Sequence, residues 1–283
     1  MRIVNLILYS DTPQYNLMRD YLRSYLRTIP NLTYYFYRFE PALVPDHIIT
    51  GDTLLIRGKE SRNPGILRKT IRAFELMVPR KFDYIIRTNI STVVDFNMLQ
   101  QLLHHNPITY GGREIEYPSK AVIQQLNQER GLYRYENLHY VAGICIILSK
   151  AMVQTILQHK HLLLYRLIDD AAIGMLALDR GIPINNIASV VAVNSEYTSG
   201  KLIYRNKLNH DRGEDAVRMR KQLNRILSPN SMIVTHIAAP KQKKIIPIMK
   251  SLLVKPSHLG GKVVKRLHPK GKVVKRLLLR VRS

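Results

Sequence analysis

The sequence holds one cysteine, Cys145, in 283 residues, which leaves no disulfide framework within the chain. Cys145 sits inside the apolar run GICIILS and reads as a small buried hydrophobe, and a lone thiol suits a reducing compartment. No stretch approaches the roughly 18 apolar residues of a membrane span. The N-terminal MRIVNLILYSD does not fit a signal peptide either. Its apolar part is broken by Asn5 and ends at Asp11 without a small-residue cleavage site, so it reads as a first buried strand. A cytoplasmic protein is therefore expected. GxGxxG and Walker loops, the commonest phosphate cradles, are missing, as are helix-turn-helix, zinc-ligand and RNP-like patterns.

Acidic residues are also missing from one end. Residues 241–283 contain 14 Lys or Arg and no Asp or Glu. Of the 44 basic residues, 30 remain in the first 240 positions against all 20 acids, so more than half of the net charge of +24 belongs to the tail. The tail repeats GKVVKRL at 261–267 and 271–277, a low-complexity pattern too short for a solenoid. It reads as a solvated, poorly ordered segment from residue 228 onward. A sharper reading is a basic anchor for an anionic membrane surface. Nucleic acid is disfavoured as a partner, because only valine and leucine stand between these charges and no aromatic ring is there to stack on a base.

What is present is globular. Hydrophobic residues make up 46% of the chain, enough for a sizeable core. Residues 3–9 read as a strand, followed by a helix with Leu17, Tyr21, Tyr25 and Ile29 on one face that stops at Pro30. LTYYFYRF and DTLLIRG read as strands. Pro64 and Gly65 open a helix that Pro79 ends. FDYIIRT, HYVAGICIILS and VVAV read as strands; NMLQQLLHH, KAMVQTILQHK, residues 169–179 and DRGEDAVRMRKQLNRIL read as helices. Strands alternating with helices predict an α/β fold with a largely parallel sheet in one domain, residues 1–227, before the basic tail at 228–283.

Three groups of residues could carry chemistry. Asp169 and Asp170 fall at a helix start, where one acid would serve as a cap and two adjacent acids need cations or a shared proton. Arg57, Arg62, Arg68, Lys69 and Arg72 surround another helix start, either as a solvated basic face or as a diphosphate site. Arg205, Lys207, His210 and Arg212 share a loop before the last helix, a placement that suits a phosphate or a metal-bound phosphate. The strand end Arg87-Thr88-Asn89-Ile90-Ser91 adds a row of polar groups where open α/β sheets place their ligands.

In order along the chain, PGILRKTIRAFE, FDYIIRTNISTVVDF, YVAGICIILSK, DDAAIG and YRNKLNHDR resemble the glycosyltransferases of large DNA viruses, which are similar to Fringe and β-1,3-glycosyltransferase enzymes of GT-A fold. The resemblance covers residues 1–227. It implies a hexosyltransferase, inverting at the anomeric carbon, that uses a nucleotide-sugar donor, UDP-linked, and the hydroxyl of a glycan or glycoprotein acceptor. Fringe-like enzymes read DYxxKxDDD where this chain has Asp83-Tyr84-Ile85-Ile86-Arg87-Thr88-Asn89-Ile90-Ser91, so neutral Asn89 and Ser91 replace metal-holding acids. Mn²⁺ or Mg²⁺, held by Asn89, Ser91 and His210, would then bind weakly or be dispensable. The resemblance further implies that Asp170, with Asp169 beside it, is the catalytic base, and that Gly143 lies on the acceptor side. Ser10, Arg57, Lys69, Arg87, Thr88, Asn89, Ser91, Arg205 and Lys207 would line the donor. Two alternatives stand beside this reading: a non-catalytic carbohydrate- or nucleotide-binding protein, and a basic nucleic-acid binder.

Overall fold

Period-two alternation in the first strand decides how the sheet is buried. Val4 and Leu6 point to one face and Ile3 and Ile7 to the other, and both faces are apolar, as expected of a strand covered by helices on both sides. The computed structural model describes residues 1–130, 135, 138–208 and 212–228. Its elements are β1 (Ile3–Leu8), α1 (Pro13–Leu26), β2 (Leu32–Glu40), β3 (His47–Thr50), β4 (Thr53–Arg57), α2 (Gly65–Met77), β5 (Tyr84–Asn89), β6 (Thr92–Val94) and α3 (Phe96–His105). They continue with β7 (Tyr110–Glu116), α4 (Lys120–Arg130), β8 (His139–Ser149), α5 (Lys150–Gln158), α6 (Asp169–Asp179), β9 (Asn185–Asn186), β10 (Val191–Val193), β11 (Ile203–Arg205) and α7 (Arg212–Leu227).

Eight strands form one sheet in the order β3-β4-β2-β1-β5-β8-β7-β9. On one face Val4, Leu6 and Ile85 pack with Phe74 of α2, Val153 of α5 and Ile173 of α6. On the other, Ile3, Ile7 and Ile86 pack with Leu22 of α1, Leu99 of α3 and Met219 of α7. The fold is α/β, with a large sheet between helical layers. The sheet is mixed rather than largely parallel: β4, β2, β1 and β5 run parallel, whereas β8 is antiparallel to both β5 and β7. Side-chain pattern cannot report this, because a strand buried on both faces reads the same in either direction.

Two further differences have local causes. β7 and α4 carry no strong sequence signal, and β7 begins Tyr110-Gly111-Gly112. A Cβ on Gly112, at φ +150°, would lie 2.4 Å from the Cys145 carbonyl oxygen, so close strand approach demands glycine where a strand reading is weakest. VVAV is not a strand of the main sheet; β10 joins β11 and β6 in a separate three-stranded sheet. The tail from residue 228 lies outside the described residues except for Ser228, whose N–H donates to Asn224 O at 3.0 Å. Among the described residues no helix is long and apolar enough to cross a membrane.

Candidate functional site

From β1 the chain moves outward to β2 and β4, then returns to the other side of β1 as β5. The carboxyl ends of β1 and β5 therefore border the switch in strand order, the place where open sheets leave a crevice. Ser10, partly exposed, follows β1, and Asn89 ends β5. The turn after Asn89 leads into β6, whose Thr92 pairs with Arg205 of β11, so the small sheet adjoins the carboxyl end of β5.

Along β5, Arg87 and Asn89 share a face with Ile85, toward α2 and α6. Arg87 is 2% exposed, and its Nη2 meets Asp169 Oδ2 at 2.8 Å, an ion pair sealed on both sides. The Thr70 hydroxyl donates to the same oxygen at 3.0 Å and lies 2.8 Å from the Tyr37 hydroxyl. Arg87 Nη1 also donates to Gly143 O at 2.6 Å and to Asn89 Oδ1 at 3.0 Å. Ile168, which has no side-chain cap, precedes α6, so Asp169 does not cap its helix but neutralises Arg87.

Asp170 has a different environment. Its Oδ2 accepts Gly143 N–H at 2.8 Å and its Oδ1 accepts Ala171 N–H at 2.8 Å. Burial and the neighbouring Asp169 charge push its carboxyl up to about 6, while Arg87 and the two amides pull the other way. The two adjacent acids thus sit in different environments: one is paired with a guanidinium, the other is held by two backbone amides with its proton affinity raised. Gly143 links them to Asn89, whose Nδ2 donates to Gly143 O at 2.6 Å.

Positive charge collects two residues further on. Arg205, partly buried, donates to Ser91 Oγ and has no carboxylate partner among the described residues. Burial, then Arg212 and Arg87, push it down to about 10. Arg212 at the start of α7 pairs with fully buried Asp215 and lies over the Tyr15 ring at 5.2 Å, yet its Nε is buried without a hydrogen-bond partner among the described residues. The Asp215 carboxylate also accepts Leu208 N–H at 2.8 Å, and Asn206 holds Gln222 at 2.8 Å, so β11 and α7 are fastened together around the two arginines.

No protein-family model and no curated protein matches the chain. Among solved structures it is similar to a glycosyltransferase involved in the glycosylation of the major capsid of PBCV-1, at 10% identity and a TM-score of 0.46, over 77% of this chain and 99% of that one. It is also similar to mouse xyloside xylosyltransferase 1 in apo form, at 12% identity and a TM-score of 0.41, over 74% of this chain and 99% of that one.

The other expected donor residues are dispersed. Lys69 is 1% exposed and paired with Glu60 at 2.6 Å, beneath the surface rather than facing a ligand; burial lowers its pKa and Glu60 opposes the shift. Arg57 is tied to Asp46 on the rim of a separate cavity of about 700 Å³, at the carboxyl end of β4 and the start of α2, shared with Lys59, Arg68 and Arg72. Thr88 faces the α1 side, where its hydroxyl donates to buried Asn5 at 3.1 Å. Lys207 is exposed just beyond Arg205, and His210 lies outside the described residues. Tyr37 and Thr70 were not singled out in the sequence; their one signal is a polar group on an otherwise apolar face.

Asn89 and Ser91 do not suit a divalent cation. Both are neutral, the Asn89 oxygen accepts from Arg87, and the Ser91 oxygen accepts from Arg205, so a metal would meet two guanidiniums. No trio of His, Cys, Asp and Glu that could hold a metal comes together among the described residues.

Gly143 has no spare room. A Cβ there would lie 2.8 Å from Asp170 Oδ2 and 3.2 Å from Arg87 Nη1. Gly143→Ala is expected to lower stability by about 1–3 kcal/mol through overpacking. Urea denaturation checks this, and an unshifted midpoint would show that the two side chains can move aside.

Proposed function

We propose that the chain is a glycosyltransferase that moves a hexose from a nucleoside-diphosphate sugar, UDP-linked, to a hydroxyl of a glycan or glycoprotein, with inversion at the anomeric carbon. The observation that carries this reading is Asp170: a carboxylate fixed by two backbone amides, one of them that of Gly143, whose carbonyl holds Asn89 at the carboxyl end of β5, with its proton affinity raised toward neutrality. In the step that fits, the acceptor oxygen bonds to the anomeric carbon as the carbon–phosphate oxygen bond breaks. The nucleoside diphosphate leaves with the bonding electrons, and the acceptor proton passes to Asp170. Arg205, which donates to Ser91 Oγ, would supply positive charge against a leaving diphosphate in this reading.

Incubation with UDP-, GDP- and CMP-sugars and a panel of glycan acceptors tests the reading through release of free nucleotide. The acid limb adds a signature. Asp170 must be deprotonated to accept a proton, so turnover should fall about tenfold per pH unit below about 6. A profile flat to pH 4.5 would end the assignment of Asp170. A second reading, binding without turnover, is favoured by neutral Asn89 and Ser91; it requires nucleotide-sugar binding with no nucleotide released on any acceptor.

A further inference from the structure

Arg205 poses a problem of charge. A partly buried guanidinium next to two others is costly unless an anion balances it. Its one hydrogen-bond partner among the described residues is the neutral Ser91 hydroxyl, and nearby Asp215 is already paired with Arg212. Arg212 itself keeps a buried Nε with no partner among the described residues. Exposed Lys207 stands two residues beyond Arg205, and among the described residues Asp215 is the acid whose charge reaches Arg205. Among the described residues the site thus holds more cation than anion, and the Ser91 hydroxyl and Asn89 amide oxygens already accept from guanidiniums.

We propose that Arg205 and Arg212 form a diphosphate-binding site that works without a divalent cation. The inference rests on the transferase reading for the identity of the ligand, a nucleoside diphosphate, but not for the site itself. A planar guanidinium can offer two N–H groups to phosphate oxygens, which supplies both charge and orientation in place of a metal bridge. The bond to Ser91 and the Tyr15 ring under Arg212 hold both groups in place before the ligand arrives, which limits the ordering cost of binding.

The test titrates the full chain with inorganic pyrophosphate and with UDP by calorimetry, in EDTA and in Mn²⁺. Both ligands are expected to bind equally well in the two buffers. Arg205→Met should weaken both about 10–100-fold, the scale of lost hydrogen bonds to a charged group, and Arg205→Lys should recover part of the loss. The melting temperature of unliganded Arg205→Met should rise, because an unbalanced charge has been removed; that readout also shows the variant is folded. Binding that needs Mn²⁺, binding indifferent to Arg205, or no pyrophosphate binding in either buffer would each overturn the site. Turnover is measured separately: metal-free binding through Arg205 with no nucleotide sugar consumed would keep the site and end the transferase reading. Turnover together with binding that requires Mn²⁺ would do the reverse.

Discussion

Asp170→Asn is expected to lower kcat by about 10²–10⁴-fold, the usual contribution of a positioned general base, with UDP affinity nearly unchanged. The amide cannot take the acceptor proton, but it occupies the same space. Stability should move little, because two effects oppose each other. An amide offers one oxygen to two backbone donors, so either Gly143 N–H or Ala171 N–H must face an NH₂ group. Against this, the substitution removes a buried charge beside Asp169. The pH dependence has a definite sign. The folded-state pKa is raised from 3.8, so the stability that protonation of Asp170 contributes is fully present below about pH 3.8 and lost as pH rises through about 6. Asp170→Asn should flatten that slope and abolish the acid limb of turnover. Lost stability with unchanged specific activity would show that the acid is structural.

Breaking the pair beneath it should have the largest effect on folding. Arg87→Met leaves Asp169 buried without its cation, and Asp169→Asn leaves Arg87 buried without its anion; each should cost about 3–5 kcal/mol in urea denaturation. The double variant Arg87→Met with Asp169→Leu should cost less than the sum, since both charges leave together. Arg87→Met has a second consequence. Arg87 lowers the proton affinity of Asp170, so the acid limb of any remaining activity should shift to higher pH. Single variants within about 1 kcal/mol of the parent protein would show that the pair is not what holds α6 to β5.

Much of this was legible in the chain. Helix ends at Pro30, Pro79 and Gly181 and the β-rich runs around Ile85 and Ile146 are local signals, and they place α1, α2, α6, β5 and β8 within a few residues. Asp169 and Asp170 stand out because two adjacent acids at one helix start exceed what capping needs. The cations around Arg205 stand out as a cluster. Less legible were the strands with glycine or few residues, β7 and β9, whose formation depends on an adjacent β8 rather than on their own composition.

Local signals in the sequence were enough for most of the helices and the longer strands, for the α/β class, and for the gathering of acids and cations at a few loops and helix starts. Only the tertiary structure decided which charges cancel. Lys69 and Arg87, both candidates for phosphate, are already paired, Lys69 with exposed Glu60 and Arg87 with buried Asp169. Arg205 instead meets a hydroxyl 114 residues away and has no carboxylate partner among the described residues. The physical reason is that secondary structure follows from neighbours along the chain. The state of a charge follows from burial and from the groups that meet it in space, and those are set by strand order and crossover, which no local pattern records.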